Sequence, residues 1–312
     1  DHEYVLTRSW TATDACGNAT THTQTVTVQD TTAPNIITQD TTVYLNASGS
    51  FSLSASHIDN GSSDNCTTSL TLTVSPTSFD CSTTGAQTAT LTGTDDCGNT
   101  ENATATVTVL DSISPGISGL PNDTTLYTGS ASCTAVLSWT EPTSTDNCAG
   151  SSIAQTAGTT SGNAFSLGTN TVTYTSTDAS ANTYSESFVV TVVDTISPGI
   201  VGLIGDTVIY VPSTACTVAF SWTEPTATDN CTGGSIAQDG GSTNGNALGL
   251  GTTTVTYTAT DGSLNTFSDS FIITVIDTIP PSLDLPADIV ITADTMSCNA
   301  IATWGAVTAS DS

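Results

Sequence analysis

The stretch N-T-V-T-Y-T-S-T-D, residues 170–178, decides the fold class of this chain of 312 residues. Its apolar residues Val172 and Tyr174 alternate with threonines, and T-T-V-T-Y-T-A-T-D at 253–261 repeats the pattern. An alternation of period two puts one set of side chains on each face of a half-buried β-strand. No segment shows the 3.6-residue period of an amphipathic helix, so the sequence predicts an all-β protein.

The composition limits the partners that the chain can bind. One cation, Arg8, stands against 29 Asp and Glu, and the formal net charge is −28. Nucleic acid and anionic lipid surfaces are excluded because no basic patch exists to neutralise phosphates. No apolar run reaches the roughly 18 residues of a membrane span, and no signal peptide is recognisable, so no membrane insertion is expected. The repulsion between so many carboxylates predicts bound divalent cations.

Strings ending in proline mark a tandem repeat of about 80 residues. Q-D-T-T-A-P, L-D-S-I-S-P, V-D-T-I-S-P and I-D-T-I-P-P place an aspartate at positions 30, 111, 194 and 277. Boundaries fall after these strings, where a proline ends the preceding strand. The predicted domains are a partial repeat at 1–33, complete repeats at 34–114, 115–197 and 198–280, and a partial repeat at 281–312.

Each complete repeat is expected to be an immunoglobulin-like β-sandwich, because short strands alternate with Gly, Asn and Asp turns. Stacked modules of this kind contact only their neighbours, which predicts an elongated rod. The incomplete first and last repeats predict that the 312 residues are a window on a longer polymer. A subunit completed head-to-tail by the next copy is the alternative.

Nine cysteines without a C-x-x-C pair predict disulfides and hence an extracellular compartment. The third and fourth repeats hold two cysteines each, so elimination predicts the pairs Cys133–Cys148 and Cys216–Cys231. A disulfide that closes a loop of this size stabilises the fold by roughly 3 kcal/mol. In the second repeat the same spacing favours Cys66–Cys81, with Cys66–Cys97 as the alternative. The pairing of Cys16, Cys97 and Cys298 is open.

Acidic side chains recur at three loops of each repeat: the junction, the turn before a cysteine, and the penultimate turn. These loops lie at one end of a sandwich, so Asp111 should meet Asp146 and Asp178 there, and Asp194 should meet Asp229 and Asp261. Carboxylate and carboxamide oxygens are ligands that suit Ca²⁺. The predicted calcium ligands are Asp30, Asp64, Asp95, Asn99, Asp111, Asp146, Asp178, Asn182, Asp194, Asp229, Asp261, Asn265 and Asp277. The alternative is that Asp and Asn only form Asx-turns.

The order of these residues resembles the hyalin-repeat (HYR) domain. It comprises C-x5-W-x6-D-N-C at 133–148, then T-V-T-Y-T-x-T-D, then V-x-D-T-x-x-P. The second repeat, with D-N-G-S-S-D-N-C at 59–66 and T-D-D-C-G-N at 94–99, is similar to the variant found in giant adhesins of Bacteroidota, including gliding-motility adhesins exported by the type IX system. The resemblance implies an immunoglobulin-like extracellular module with adhesive or spacer roles and no catalytic activity.

The triplet Asp-Ser/Thr followed by a methyl-bearing residue looks like the O-glycosylation signal of Bacteroidota. The alternative is chance recurrence in a threonine-rich chain. The predicted glycosylation sites are Thr31, Thr41, Ser112, Thr124, Thr195, Thr207, Thr278 and Thr295.

The sequence predicts a structural and adhesive function. No nucleophile elbow or histidine accompanies the many serines, so an enzyme is not expected. Trp139, Trp222 and Trp304 recur at one strand position and are interpreted as core residues in preference to sugar-stacking platforms. The expected partners are neighbouring repeats of the same chain or filament, and surface polysaccharide or other cells. A module that binds polysaccharide or a partner protein is the competing hypothesis, and the expected location is the cell surface or a secreted filament.

Overall fold

The computed structural model describes residues 3–66, 68–211 and 216–311. Apart from two short 3₁₀ helices, Ala55–His57 and Cys81–Thr83, every regular element in these ranges is a β-strand. None of the helices in the described part is long and apolar enough to cross a membrane. The prediction of an all-β fold made of tandem β-sandwiches is confirmed.

The strands follow the repeats along the chain. The strands before residue 114 are β1 (Tyr4–Thr13), β2 (Ala19–Val28), β3 (Thr41–Tyr44), β4 (Ser50–Ser52), β5 (Thr71–Ser75), β6 (Ser78–Asp80), β7 (Gly85–Thr94) and β8 (Thr100–Leu110). Those of the third repeat are β9 (Gly116–Ser118), β10 (Thr124–Tyr127), β11 (Thr134–Val136), β12 (Thr143–Thr145), β13 (Ser152–Ala157), β14 (Ala164–Ser166), β15 (Gly168–Thr177) and β16 (Thr183–Val193). Those after residue 198 are β17 (Gly199–Val201), β18 (Thr207–Tyr210), β19 (Thr217–Ala219), β20 (Thr226–Thr228), β21 (Ser235–Gly240), β22 (Ala247–Gly249), β23 (Gly251–Thr260), β24 (Thr266–Ile276), β25 (Ser282–Asp284) and β26 (Thr308–Ser310).

One four-stranded sheet recurs in each complete repeat. The strand orders are β3-β8-β7-β5, β10-β16-β15-β13 and β18-β24-β23-β21. The short first strand pairs in parallel with the last long strand, so that Tyr44 lies opposite Leu110 and Tyr210 opposite Ile276. The remaining strands form two-stranded pairs: β1-β2, β4-β6, β9-β12, β11-β14, β17-β20, β19-β22 and β25-β26. The parallel pairing places the end of the first strand beside the last residue before the junction aspartate.

The described residues form two compact units. The first is made of Asp1–Asp123, Ser138–Ser161 and Thr171–Val189, and the second of Thr124–Leu137, Gly162–Asn170 and Val190–Ser312. Segments of the third repeat therefore occur in both units. The domain bounds derived from the period stay a prediction.

In the first unit the alternation of the sequence matches the burial of side chains. Leu91 on β7 and Val107 on β8 are fully buried and pack with Phe79. The threonines that alternate with the buried residues along β7 and β8 lie on the other face of the sheet. Burying one such side chain contributes roughly 1.5–3 kcal/mol, so short strands with few large residues still form a stable core.

The second unit has an equivalent core around β23 and β24. Val255, Tyr257 and Phe271 are buried together, and the Trp222 ring packs edge-on against Phe271 at a centroid distance of 5.4 Å. Trp222 is thus a half-buried core residue, as expected. Trp304 differs from the expectation because 71% of its surface is exposed. In the described part, only the short pair β25-β26 forms near it, and this pair is too small to bury a tryptophan.

Candidate metal centres

Three clusters of acidic side chains form where strands end. In the first two clusters the carboxylates belong to Asp30, Asp64 and Asp95, and to Asp111, Asp146 and Asp178. In the third they belong to Asp194 and Asp229, which lie with Cys231. Within each cluster one candidate ligand atom per residue lies within 4.8 Å of the others. The structure therefore brings together all three predicted acids in the first two clusters, but in the third it joins only Asp194 and Asp229, with Cys231 in the place expected for Asp261.

The position of each acid follows from the strands. Asp111 directly follows β8, Asp146 follows β12, and Asp178 follows β15. Asp194 and Asp229 occupy the equivalent positions after β16 and β20. Asp277 instead accepts a 2.8 Å hydrogen bond from the backbone N–H of Ile279, and it belongs to none of the clusters in the described ranges.

The aspartate of each penultimate turn uses its oxygens locally. Asp178 Oδ1 accepts the backbone N–H groups of Ser180 and Asn182 at 2.8 Å, and Oδ2 accepts Asn182 Nδ2 at 2.8 Å. Asp95/Asn99 and Asp261/Asn265 form the same turn. These three pairs form Asx-turns, which is the alternative that the sequence left open.

The asparagines of these turns also hold the junctions. Asn99, Asn182 and Asn265 donate Nδ2 to the backbone oxygens of Asp30, Asp111 and Asp194 at 3.1–3.2 Å. Burial acts to raise the pKa of Asp261, but hydrogen bonds from Asn265 and from the turn backbone outweigh it and hold that pKa below its ordinary value. Asp261 is therefore ionised at neutral pH. It lies next to the third cluster, which Asn265 links to it.

The junction aspartates keep one oxygen without a donor. Asp111 Oδ1 accepts the N–H of Ile113 and Nδ2 of Asn147, whereas Asp111 Oδ2 is buried with no hydrogen-bond partner among the described residues. Asp146 Oδ1 and Asn147 Oδ1 are in the same state within that part of the chain. Asp111 is only 8% exposed, so bulk solvent has little access to this oxygen. An unpaired buried oxygen of this kind is costly unless a cation binds it.

The third cluster repeats this pattern. Over residues 3–66, 68–211 and 216–311, Asp194 Oδ2, Asp229 Oδ1 and Asn230 Oδ1 are buried and have no hydrogen-bond partner. Asp194 is 3% exposed, and its Oδ1 accepts the Thr128 hydroxyl at 2.9 Å. The oxygens that point inward are again two carboxylates and one carboxamide. This donor set fits a hard, oxygen-preferring cation such as Ca²⁺.

Sequence reasoning missed Asn147 and Asn230. Asn147 Nδ2 donates to Asp111 Oδ1 at 3.1 Å and to the backbone oxygen of Asn46 at 3.4 Å. Asn230 Nδ2 donates to Gly129 O at 3.2 Å and reaches Asp194 Oδ1 at 3.5 Å. Each asparagine therefore ties its own turn to the preceding repeat. Its recurrence directly before the cysteine in T-D-N-C was the signal that could have revealed it.

The predicted disulfide pairs are wrong. The structure joins Cys81 to Cys148 and Cys133 to Cys231. Cys133–Cys148, Cys216–Cys231 and Cys66–Cys81 are therefore each ruled out, because one or both cysteines have another partner. Both observed bonds connect one predicted repeat to the next.

The reason is that the two cysteines of the third repeat face different neighbours. Cys148 follows the turn of Asp146 and Asn147, which contacts the preceding repeat. Cys133 follows Thr128, which bonds to Asp194 at the following junction. Closeness along the chain therefore did not indicate closeness in space.

The second repeat provides its cysteine from a different strand. Ser50 of β4 lies opposite Asp80 of β6, which puts Gly49 opposite Cys81. In the third repeat the equivalent pairing puts Cys133 opposite Leu167. Gly49 has φ +68°, and a Cβ there would lie 2.6 Å from the Cys81 sulfur, so only glycine fits beside this disulfide.

Cys66 and Cys97 remain thiols at the first cluster. Burial raises the pKa of the Cys66 thiol, and Asp30 raises it further. Burial likewise raises the pKa of Cys97. The alternative pair Cys66–Cys97 is not formed in the structure. Cys16 and Cys298 are also thiols.

The candidate glycosylation sites divide into two groups. Thr31, Ser112, Thr195, Thr278 and Thr295 are exposed, whereas Thr41, Thr124 and Thr207 are half-buried at the starts of β3, β10 and β18. The aspartates before the second group accept backbone N–H groups of the last strand at 2.7–2.8 Å. The recurrence of Asp-Thr at these three positions thus has a structural explanation, and glycosylation stays a prediction.

A hydrogen-bonded Trp–Tyr–Glu chain with a buried tyrosine recurs in both tryptophan-bearing repeats. Trp222 Nε1 donates to the Tyr257 hydroxyl at 2.8 Å, and that hydroxyl donates to Glu224 Oε2 at 2.5 Å. Trp139, Tyr174 and Glu141 form the same arrangement at 2.9 and 2.6 Å. The indole N–H is used inside the module, which supports the core interpretation over sugar stacking.

Replacing Tyr257 by Phe should raise the pKa of Glu224 toward its ordinary value. The Tyr257 hydroxyl is the main cause of the lowered pKa, followed by the Asn244 amide. A lowered pKa stabilises the fold at neutral pH, and this contribution is lost as the pH falls through the pKa of Glu224. NMR titration of the Glu224 carboxyl measures the shift. Tyr174→Phe is the matched control, and an unchanged Glu224 pKa in Tyr257→Phe would contradict the assignment.

Known proteins match the chain along its repeats. The family model of the HYR domain matches residues 111–192 and 193–275, together more than half of the chain. Hyalin of Strongylocentrotus purpuratus is 39% identical over 162 residues, which cover 48% of this chain and 13% of the relative. Hyalin of Lytechinus variegatus is 34% identical over 158 residues, covering 49% and 29%. The match spans less than a third of either relative's length.

Solved structures of tandem cadherin domains are also similar. A structure of protocadherin gamma B2 extracellular cadherin domains 1–5 has a TM-score of 0.33 at 15% identity, covering 100% of this chain and 72% of the other. One of mouse cadherin-23 EC22–24 has a TM-score of 0.31 at 15% identity, covering 79% and 99%. Scores of this size support no statement about ligands.

Proposed function

The chain belongs to the HYR-domain family, and we propose that it is a non-catalytic structural and adhesive segment of a longer extracellular protein, stiffened by calcium at its repeat junctions. The observation that carries the calcium proposal is the set of buried oxygens at the junctions of Asp111 and Asp194 that have no donor among the described residues. Buried disulfides support the extracellular location, because such bonds persist in oxidising compartments. The attribution to Bacteroidota stays a prediction.

Calcium is favoured by the chemistry of the donors. Asp111 and Asp146, like Asp194 and Asp229, are neighbouring anions, of which the first in each pair is buried and the second half-buried. Two carboxylates at such a distance repel each other, and a divalent cation between them removes the repulsion. Ca²⁺ takes six to eight oxygens in flexible geometry, and backbone carbonyls can complete the shell. The residues proposed to hold it are Asp111, Asp146 and Asn147, and Asp194, Asp229 and Asn230.

These cations would fix the relation between a repeat and the start of the next. The turn of Asn230 already contacts Gly129 and Asp194, which belong to the preceding repeat. A cation held by Asp194 and Asp229 would add a strong link across the same short distance. The expected partners are therefore neighbouring repeats, and the stiffness of the segment should depend on calcium.

The variant Asp229→Asn should show whether Asp229 is a calcium ligand or only supports the local structure. Without calcium the variant should be at least as stable as the wild type, because the half-buried charge that repels Asp194 is removed while the Cys231 N–H keeps its acceptor. With calcium the variant should lack the increase in the free energy of unfolding that this site gives the wild type, which is about 2.7 kcal/mol when calcium is 100-fold above Kd. Thermal unfolding in EDTA and in calcium measures both effects.

The exposed Asp269→Asn, a change of equal charge on β24, is the control and should behave as the wild type. Magnesium should replace calcium poorly, because it demands a stricter octahedral shell. Equal calcium-induced stabilisation of wild type and Asp229→Asn would disprove a site at this junction.

A polysaccharide-binding function is the second candidate, and exposed tyrosines favour it. Tyr44, Tyr127 and Tyr210 end the first strand of successive repeats and are 55–64% exposed. One such ring recurs at the same position of each complete repeat. An exposed ring with nearby threonine hydroxyls is suited to stacking against a sugar.

Tyr210→Ala should weaken binding to polysaccharide if this surface is used. The truncation removes the ring and leaves the core intact, because the side chain points outward. Glycan-array binding of the whole chain tests it, with the exposed Phe267→Ala as control. Wild-type protein that binds no glycan on the array would exclude this second function and leave the structural one standing.

A further inference from the structure

We infer that the two disulfides form a covalent load path that bypasses most of the chain between Cys81 and Cys231. The inference rests on which cysteines are joined, and it depends neither on calcium nor on an adhesion partner. It assigns the disulfides a function that local pairing within one repeat would not provide.

The four cysteines interleave along the chain. Cys81 bonds to Cys148, and Cys133 bonds to Cys231, so each bond closes a loop that contains one cysteine of the other. Tension applied at Cys81 crosses the first bond to Cys148 and runs back along the main chain to Cys133. It then crosses the second bond to Cys231.

The shortest covalent route therefore uses little of the main chain. The two bonds have sequence separations of 67 and 98, and the loops that they close share only the segment 133–148. This shared segment is the whole main-chain part of the route. Residues 82–132 and 149–230, which contain most of the strands of the third repeat and the start of the fourth, carry no tension along it. A pulled chain can lose their folded structure without gaining length.

The bonds lie where such a route is protected. Cys148 and Cys231 are 8% and 7% exposed, and Cys81 and Cys133 are half-buried. Cys148 belongs to the hydrophobic core cluster of the first unit. A reductant reaches sulfur atoms at such positions slowly, because attack requires access to the sulfur.

The same route makes the chain resistant to single cuts. Cleavage anywhere between residues 82 and 230 leaves the two ends joined through at least one disulfide. Cleavage between residues 82 and 132 leaves the Cys81–Cys148 bond intact, and cleavage between residues 149 and 230 leaves the Cys133–Cys231 bond intact. This property suits a protein exposed to proteases outside the cell.

Single-molecule stretching of the whole chain, tethered at both ends, tests the load path. The measured quantity is the contour length between Cys81 and Cys231 after unfolding. At roughly 3.5 Å per residue of main chain on the route, it should be about 50 Å in the oxidised wild type and about 525 Å in the reduced one. On the same scale, Cys133→Ser/Cys231→Ser should give about 290 Å, and Cys81→Ser/Cys148→Ser about 180 Å. Each double variant keeps one bond, so the two lengths identify the bonds separately.

Other pairings give different lengths. If Cys133 paired locally with Cys148, the contour length between Cys81 and Cys231 in the oxidised wild type would be about 470 Å. If no disulfide formed between these residues, that length would be about 525 Å. Both results would overturn the load path. Nicking with an Asp-specific protease is a second measurement, chosen because Arg8 is the only trypsin site. Oxidised chain nicked once between residues 82 and 230 should run as one band without reductant and as two with it, and two bands in both lanes from such a nick would also refute the inference.

Discussion

Buried oxygens that have no donor among the described residues, at the junctions of Asp30, Asp111 and Asp194, are the constraint on which the rest of this structure depends. Asp111 and Asp146, and again Asp194 and Asp229, place carboxylates side by side in a chain whose only cation, Arg8, lies on β1. Removing carboxylates from water without a partner is strongly unfavourable. The surrounding hydrogen bonds hold these groups together nevertheless. Asx-turns and the asparagines of T-D-N-C fix the loops before any cation is bound, which reduces the ordering that binding would require.

The features that depend on period were predictable from the sequence. Val172 and Tyr174 are buried because a period of two in an isolated run specifies one face of a strand, whatever the strand pairs with. The convergence of Asp111 with Asp146 and Asp178 was also predictable. In a sandwich of alternating strands, every second loop lies at the same end, so the position of a loop in the order of strands determines which neighbours it meets.

The features that depend on pairing in space were not predictable. The separation between Cys133 and Cys148 gives no information on which neighbouring repeat each sulfur faces. The second repeat also lacks a cysteine at Gly49 and uses Cys81, directly after the opposite strand β6, so that two different sequence positions supply a sulfur at one place in the fold. Asn147 was overlooked for a similar reason. Its recurrence before the cysteine of T-D-N-C marks the position, but it does not show that the amide hydrogen-bonds across a junction.

The turn T-D-N-C combines three functions in consecutive residues, and the first cluster shows that they are separable. The N–H of Cys148 donates to Asp146 Oδ2 at 3.1 Å, and the N–H of Cys231 donates to Asp229 Oδ2 at 2.8 Å. Cys66 makes the same bond to Asp64 at 2.7 Å although its sulfur is a thiol. The turn therefore forms by local hydrogen bonding and does not need the disulfide. The aspartate and asparagine set the electrostatics of the junction, whereas the disulfide adds only covalent continuity, so each can vary among repeats without loss of the other.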